Sequence, residues 1–165
     1  MASGCAPCRR LPMTGDRPSF ERTIDVAAPA DRVWLVISGV EQWHEWTPSI
    51  TSVTLLGSGA FAAGRRAFIR QPRLPPALWT VTEVVPGRSF TWVSVAPGLR
   101  VTGFHGVEPV PAGSRATLAI RMEGLFAGVW WRLTRRITER YVNDEAAGLK
   151  ARSENPAYVR NGAKV

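Results

Sequence analysis

A chain of 165 residues, 45% hydrophobic and 21% charged, is long enough to bury one substantial core and too apolar to be disordered. The net charge of +8 and pI near 10.9 raise phosphate-bearing partners as a question. The basic residues are nevertheless spread from Arg9 to Lys164 with no glycine–aromatic recognition motif, which argues against specific nucleic-acid binding and leaves weak contact with anionic membranes as the residual expectation.

The first 19 residues mix small residues, prolines and charges without periodicity and are expected to form a flexible arm. Residues 153–165 read the same way, so one domain is expected over 20–152. No apolar run approaches the roughly 20 residues of a membrane-spanning helix. The N-terminal stretch lacks the apolar centre of a secretory signal, and a cytoplasmic protein is the expectation. Cys5 and Cys8 form a single C-x2-C in the arm. A structural zinc needs further ligands that neither His44 nor His105 is placed to supply, so the pair reads as two free thiols and no metal is expected.

Phe20, Arg22, Ile24 and Val26 alternate with more polar neighbours, the period-two mark of a half-buried strand. Pro29 stops that strand because it has no N–H to donate. A helix is predicted behind it, with Val33, Trp34, Ile37 and Val40 on one stripe and Gly39 at its end. A second helical turn over Glu41 to Trp46 presents Trp43 and Trp46 three residues apart, until Pro48 ends it.

Six further strands are predicted in ITSVTLLG, GRRAFIRQ, ALWTVTEVV, RSFTWVSV, LRVTGFHGVEPV and SRATLAIRMEG, each bounded by glycine or proline turns. Such short connections make neighbours pair antiparallel, seven strands in all. In the last strand Ala116, Leu118, Ile120 and Met122 form the apolar face and Arg115, Thr117, Arg121 and Glu123 the wet one. In the strand before it Leu99, Val101, Gly103, His105 and Val107 face inward, unless a bulge at Gly103 or Gly106 reverses the order and turns Phe104 in. Phe90 and Trp92 share that inner face with Ala67, Ile69 and Gln71. Trp79 and Val81 are assigned to it as well, although the alternation around Trp79 allows either side.

From Leu125 the period changes. Leu125, Val129, Leu133, Ile137 and Tyr141 recur every four residues, widened by Phe126, Trp130, Ala146 and Leu149, and predict one helix reaching Arg152. Arg132, Arg135, Arg136, Glu139 and Arg140 mark its wet side. A curved seven-stranded sheet around one helix leaves an apolar chamber, because the helix fills a strip only about 10 Å wide.

The chain resembles the START/Bet v1-like superfamily with its helix-grip fold, and within it the bacterial polyketide cyclase/dehydrase-like proteins, often called SRPBCC proteins. The resemblance covers Phe20 to Glu154. It rests on the order of APADRVW, VEQWHEWTPSITSV, VTEVVPGRSFTW, GFHGVEP and GLKARSE. It implies an α+β fold: a seven-stranded curved antiparallel sheet wrapped around a long C-terminal helix, with two short helices between strands one and two. It also implies a cavity for a lipid-like, aromatic or polyketide-like molecule.

Three functions follow as expectations. The first is binding of a hydrophobic small molecule, with Trp46, Ile69, Gln71, Trp79, Phe90 and Trp92 from one half of the cup as candidate contacts. Val101, His105, Leu118, Ile120, Val129 and Leu133 are the candidates from the other half. The second is a polyketide cyclase/dehydrase-type enzyme in which His105 acts as acid or base, since an imidazole does either near neutrality, while Gln71 orients a carbonyl. Set against this, an inward histidine is most often a satisfied core residue. The third is a protein-interaction module of the same fold, using the basic surface or Trp131, which a filled core would favour. No Ser-His-Asp set, P-loop or G-x-G-x-x-G is present, and no cofactor is expected.

Overall fold

The computed structural model describes residues 17–155. Cys5, Cys8 and most of the two terminal segments expected to be flexible lie outside the described residues. Residues 19 and 153–154 belong to regular elements, because the first strand begins at Ser19 and the last helix runs on to Glu154.

Strand β1 (Ser19–Val26) leads into helix α1 (Ala30–Ser38), then a 3-10 helix over Val40–Glu45. Six strands follow: β2 (Ser52–Leu56), β3 (Arg66–Arg70), β4 (Ala77–Val85), β5 (Ser89–Ala96), β6 (Leu99–Val110) and β7 (Gly113–Glu123). Helix α2 (Ala127–Glu154) completes the fold. The strands form one antiparallel sheet in the order β1-β7-β6-β5-β4-β3-β2, so the hairpin neighbours expected from short turns all pair, and β1 joins the far side of β7.

Register settles the faces. β6 pairs with β5 and β7 without interruption, His105 opposite Phe90 and Leu118, so neither Gly103 nor Gly106 bulges and His105 points inward. Phe104 takes the other face, where its ring lies over Gly106. The one shift among these pairings falls in β4 between Val81 and Glu83, where Thr82 is the extra residue. That bulge keeps Trp79 and Val81 inside and explains why alternation alone could not place them.

Below the sheet, Val33, Val36, Ile37 and Val40 from the two short helices are almost fully buried, together with Trp43 and Phe90. Residues of this kind contribute roughly 1.5–3 kcal/mol each when removed from water. Trp43 is fixed further by its indole N–H, which donates to the Ile37 carbonyl at 3.0 Å. The segment expected as a helical turn over Glu41 to Trp46 is this tighter 3-10 helix, and Trp46 lies just past its end.

Candidate functional site

Between the sheet and α2 lies a cavity of about 600 Å³. Its walls are the inward residues of the strands, chiefly Ile69, Trp79, Trp92, Val101, Leu118 and Ile120, with Trp43 and Ile50 at the closed end. Across from them α2 presents Thr138, Tyr141, Val142 and Glu145. The lining residues that are also exposed mark the mouth: Leu78 beside Pro75 and Pro76, Val95 beside Pro97, and Phe126 at the start of α2. Phe126 is held there by two contacts with the β5–β6 turn. Its N–H donates to the Gly98 carbonyl at 3.0 Å, and its ring lies where a side chain at residue 98 would stand. Gly98 also has φ 70, so only glycine fits that position without strain.

Four aromatic rings pack at the closed end. His105 stacks on Phe90 with centroids 4.6 Å apart and 13° between planes, while Trp43 and Trp92 meet it at 5.0 and 5.6 Å. Trp92 also lies over Gly103, where a Cβ would come within 2.5 Å of its indole nitrogen. The absence of a side chain there lets Trp92 lie flat along the wall.

One polar cluster interrupts this apolar end. Nε2 of His105 lies 3.7 Å from a Glu145 carboxylate oxygen, beyond hydrogen-bond length but within direct charge contact when the imidazole is protonated. The other Glu145 oxygen accepts from the Ser49 hydroxyl at 3.2 Å, and Ser49 and Thr47 share a hydroxyl contact at 2.8 Å. Nδ1 of His105 is buried without a partner. All four residues are buried, so an imidazole and a carboxyl are held together out of bulk water. Further along α2, the Tyr141 hydroxyl donates to the Pro72 carbonyl, tying the helix to the loop that forms one lip of the mouth. Burial pushes that phenol up from its ordinary value of 10.0 and keeps it a donor, although Arg73 and Arg140 pull the other way. Among the described residues no group of three or more His, Cys, Asp or Glu could hold a metal ion, and no helix is long and apolar enough to cross a membrane.

The sequence family described as "Polyketide cyclase / dehydrase and lipid transport" matches residues 17–154. The chain belongs to that family. Solved structures with the same fold include the Zhui aromatase/cyclase from Streptomyces sp. R1128, at TM-score 0.64 and 21% identity over 90% of this chain and 99% of that one. A START superfamily protein from Mycobacterium smegmatis matches at TM-score 0.66 and 15% identity, covering 82% of this chain and 97% of that one. A hypothetical protein from Helicobacter pylori reaches TM-score 0.73 at 15% identity, covering 92% and 99%. Likeness at these identities is one of fold, and it establishes the helix-grip architecture that the motifs implied. No curated protein matches the chain.

Within this member of the polyketide cyclase/dehydrase and lipid transport family, the residues singled out from sequence separate into three groups. Ile69, Gln71, Trp79, Trp92, Val101, His105, Leu118 and Ile120 all line the cavity. Phe90 and Trp46 do not: Phe90 is buried behind His105, and Trp46 packs on Trp43 with centroids 5.7 Å apart, outside the chamber. Trp43 takes the place expected of Trp46, because the 3-10 helix turns Trp43 in and leaves Trp46 at its end.

Val129 and Leu133 are corrected outright, being 61% and 77% exposed on the outside of α2. A residue every four positions advances about 40° per step around an α-helix, so a stripe that faces inward at Tyr141 has turned outward by Leu125. The face that meets the cavity instead carries Trp130, Thr138, Tyr141, Val142 and Glu145. Glu145, Ser49 and Thr47 were not anticipated. Glu145 did leave a signal, since it is a lone carboxyl midway between Tyr141 and Leu149 in the inward register.

Proposed function

We propose that this protein binds a hydrophobic small molecule, lipid-like, aromatic or polyketide-like, with the apolar body among Trp79, Trp92 and Ile120 and any polar end toward His105 and Glu145. The observation that carries this reading is the cavity of about 600 Å³, whose size and mostly apolar lining, with the His105–Glu145 cluster at one end, are those of small-molecule sites. The test is native mass spectrometry of freshly purified protein. A reproducible small-molecule adduct that is lost in Trp92→Ala supports the reading. Absence of any adduct, together with failure to take up a panel of apolar probes, removes it.

The pairing of His105 with Glu145 in the same cavity favours a second reading, a cyclase/dehydrase-type reaction on a polyketone. One of the pair would take the proton from a carbon next to a carbonyl, and the other would protonate the enolising oxygen or a departing hydroxyl. Unchanged turnover of a candidate polyketone by His105→Ala would end this reading and leave the first intact. The interaction-module reading draws no support from a core that encloses a cavity.

A further inference from the structure

Leu125 and Phe126, in the turn that leads into α2, and Val129 and Leu133, on its first two turns, are 84%, 53%, 61% and 77% exposed, an unusual concentration of large apolar side chains. At about 100° per residue Val129 and Leu133 share an arc of roughly 100° with Arg132, Arg136 and Arg140, all exposed, and over residues 127–140 no carboxylate falls inside it. Of the nearest acids, Glu139 is paired with Arg135 at 2.7 Å and Asp144 lies 3.5 Å from Arg140. Among the described residues no carboxylate pairs with Arg132 or Arg136. Aliphatic side chains interleaved with arginines on one face are suited to the boundary of an anionic bilayer. The aliphatic groups enter the acyl region while the long arginine stems let their guanidinium heads stay at the phosphates.

We infer that the N-terminal half of α2 is a docking face for anionic phospholipid membranes and presents the mouth of the cavity to the lipid. Phe126 joins the two features, as one lip of the cavity and part of the exposed apolar turn that leads into the arc, and Leu78 and Val95 continue the exposed apolar surface across the opening. A ligand leaving the cavity beside Phe126 would pass onto lipid with little contact with water. The net charge of +8 suits an anionic surface. A second copy of the chain would bring the same arginines against one another, and an acidic protein would leave the four apolar side chains without lipid to enter.

The experiment is flotation of the full-length chain with vesicles of phosphatidylcholine alone or with roughly 30% phosphatidylglycerol, at low and high salt. Binding is expected only to the anionic vesicles and should fall with salt. Arg136→Gln should weaken it by roughly fivefold, and Leu133→Asp by about tenfold because an inserting group becomes a charge. Leu35→Asp, at an equally exposed leucine on α1, should bind as the wild type does. Equal binding to neutral vesicles, equal loss in Leu35→Asp, no effect of Leu133→Asp, or capture by soluble polyglutamate but not by vesicles would each overturn the inference. Uptake of an apolar probe by Leu133→Asp is measured alongside. Retained uptake with lost flotation separates failure of docking from failure of the proposed ligand binding, on which docking does not depend.

Discussion

His105 and Glu145 show how much of the site turns on two side chains forty residues apart. Glu145→Ala would strip the Ser49 hydroxyl of its acceptor and leave His105 facing a void, so a loss of about 1–3 kcal/mol is expected in chemical denaturation. Glu145→Gln keeps the shape and an acceptor for Ser49, and should cost less than the alanine. A glutamine as damaging as alanine would mean that the charge, rather than the hydrogen bond, holds the cluster. Gly103→Ala is expected to act on the wall instead, since its new methyl group meets the Trp92 indole. The ring must tilt into the cavity, costing about 1–3 kcal/mol and weakening uptake of an apolar probe. The inward position of His105 was legible from alternation alone because β6 runs without a bulge. Its partner was not, since nothing in a sequence pattern specifies which turn of a helix crosses which strand.

At the scale of elements, α2 is fastened mainly by its C-terminal half. Lys150 donates to the Asp25 carbonyl at 2.5 Å, Glu154 accepts from the Ala27 N–H at 2.7 Å, and Arg152 meets Glu45 at 2.6 Å. Gly148 allows this close docking, because a Cβ there would run into the Trp46 carbonyl oxygen. Gly148→Ala should therefore destabilise by about 1–3 kcal/mol in thermal or urea unfolding, although alanine is the better helix former by about 1 kcal/mol. An unchanged or raised stability would show that the helix can lift off Trp46 at no cost. The N–H of Ala27, followed by Lys150, holds the Glu154 carboxyl below its ordinary value of 4.5. A depressed carboxylate contributes stability that is fully present above the unfolded value and is lost as pH falls through the lower, folded one. Acid unfolding of Glu154→Gln should accordingly be shallower than wild type below about pH 4.5, with the two differing by a constant amount at neutrality. Parallel curves throughout would assign the acid sensitivity to other carboxylates. The existence and length of α2 were plain from its sequence. Its orientation was not, because Leu125, Val129 and Leu133 are more hydrophobic than the Thr138 that meets the cavity, and a period of four drifts about 40° per step away from one face.

On the scale of the whole molecule, the hairpin order of β2 to β7, the seven strands and the long helix could be expected from turn signals and periodicity, and so could a chamber between them; the place of β1 beside β7 could not. Which loops form its mouth could not, because that depends on how far α2 stands away from β3 and β4, a distance set by Tyr141 reaching Pro72 and by Phe126 seated on Gly98. A cavity kept open inside a folded chain lacks the dispersion contacts that a filled core would have. A molecule that fits it restores those contacts in the native state only, and the equilibrium shifts by mass action. At a hundredfold excess over its dissociation constant such a ligand adds about 2.7 kcal/mol, which should raise the melting temperature by several degrees. Trp43, Trp79 and Trp92 all line the space, so an apolar fluorescent probe should quench tryptophan emission over the same concentrations that raise the melting temperature. Quenching without stabilisation would place the probe on the exposed leucines and Phe126 of α2, because binding there and to the unfolded chain would be comparable. Coincident midpoints, both moved to higher concentration in Trp92→Ala, require a site inside the folded cup.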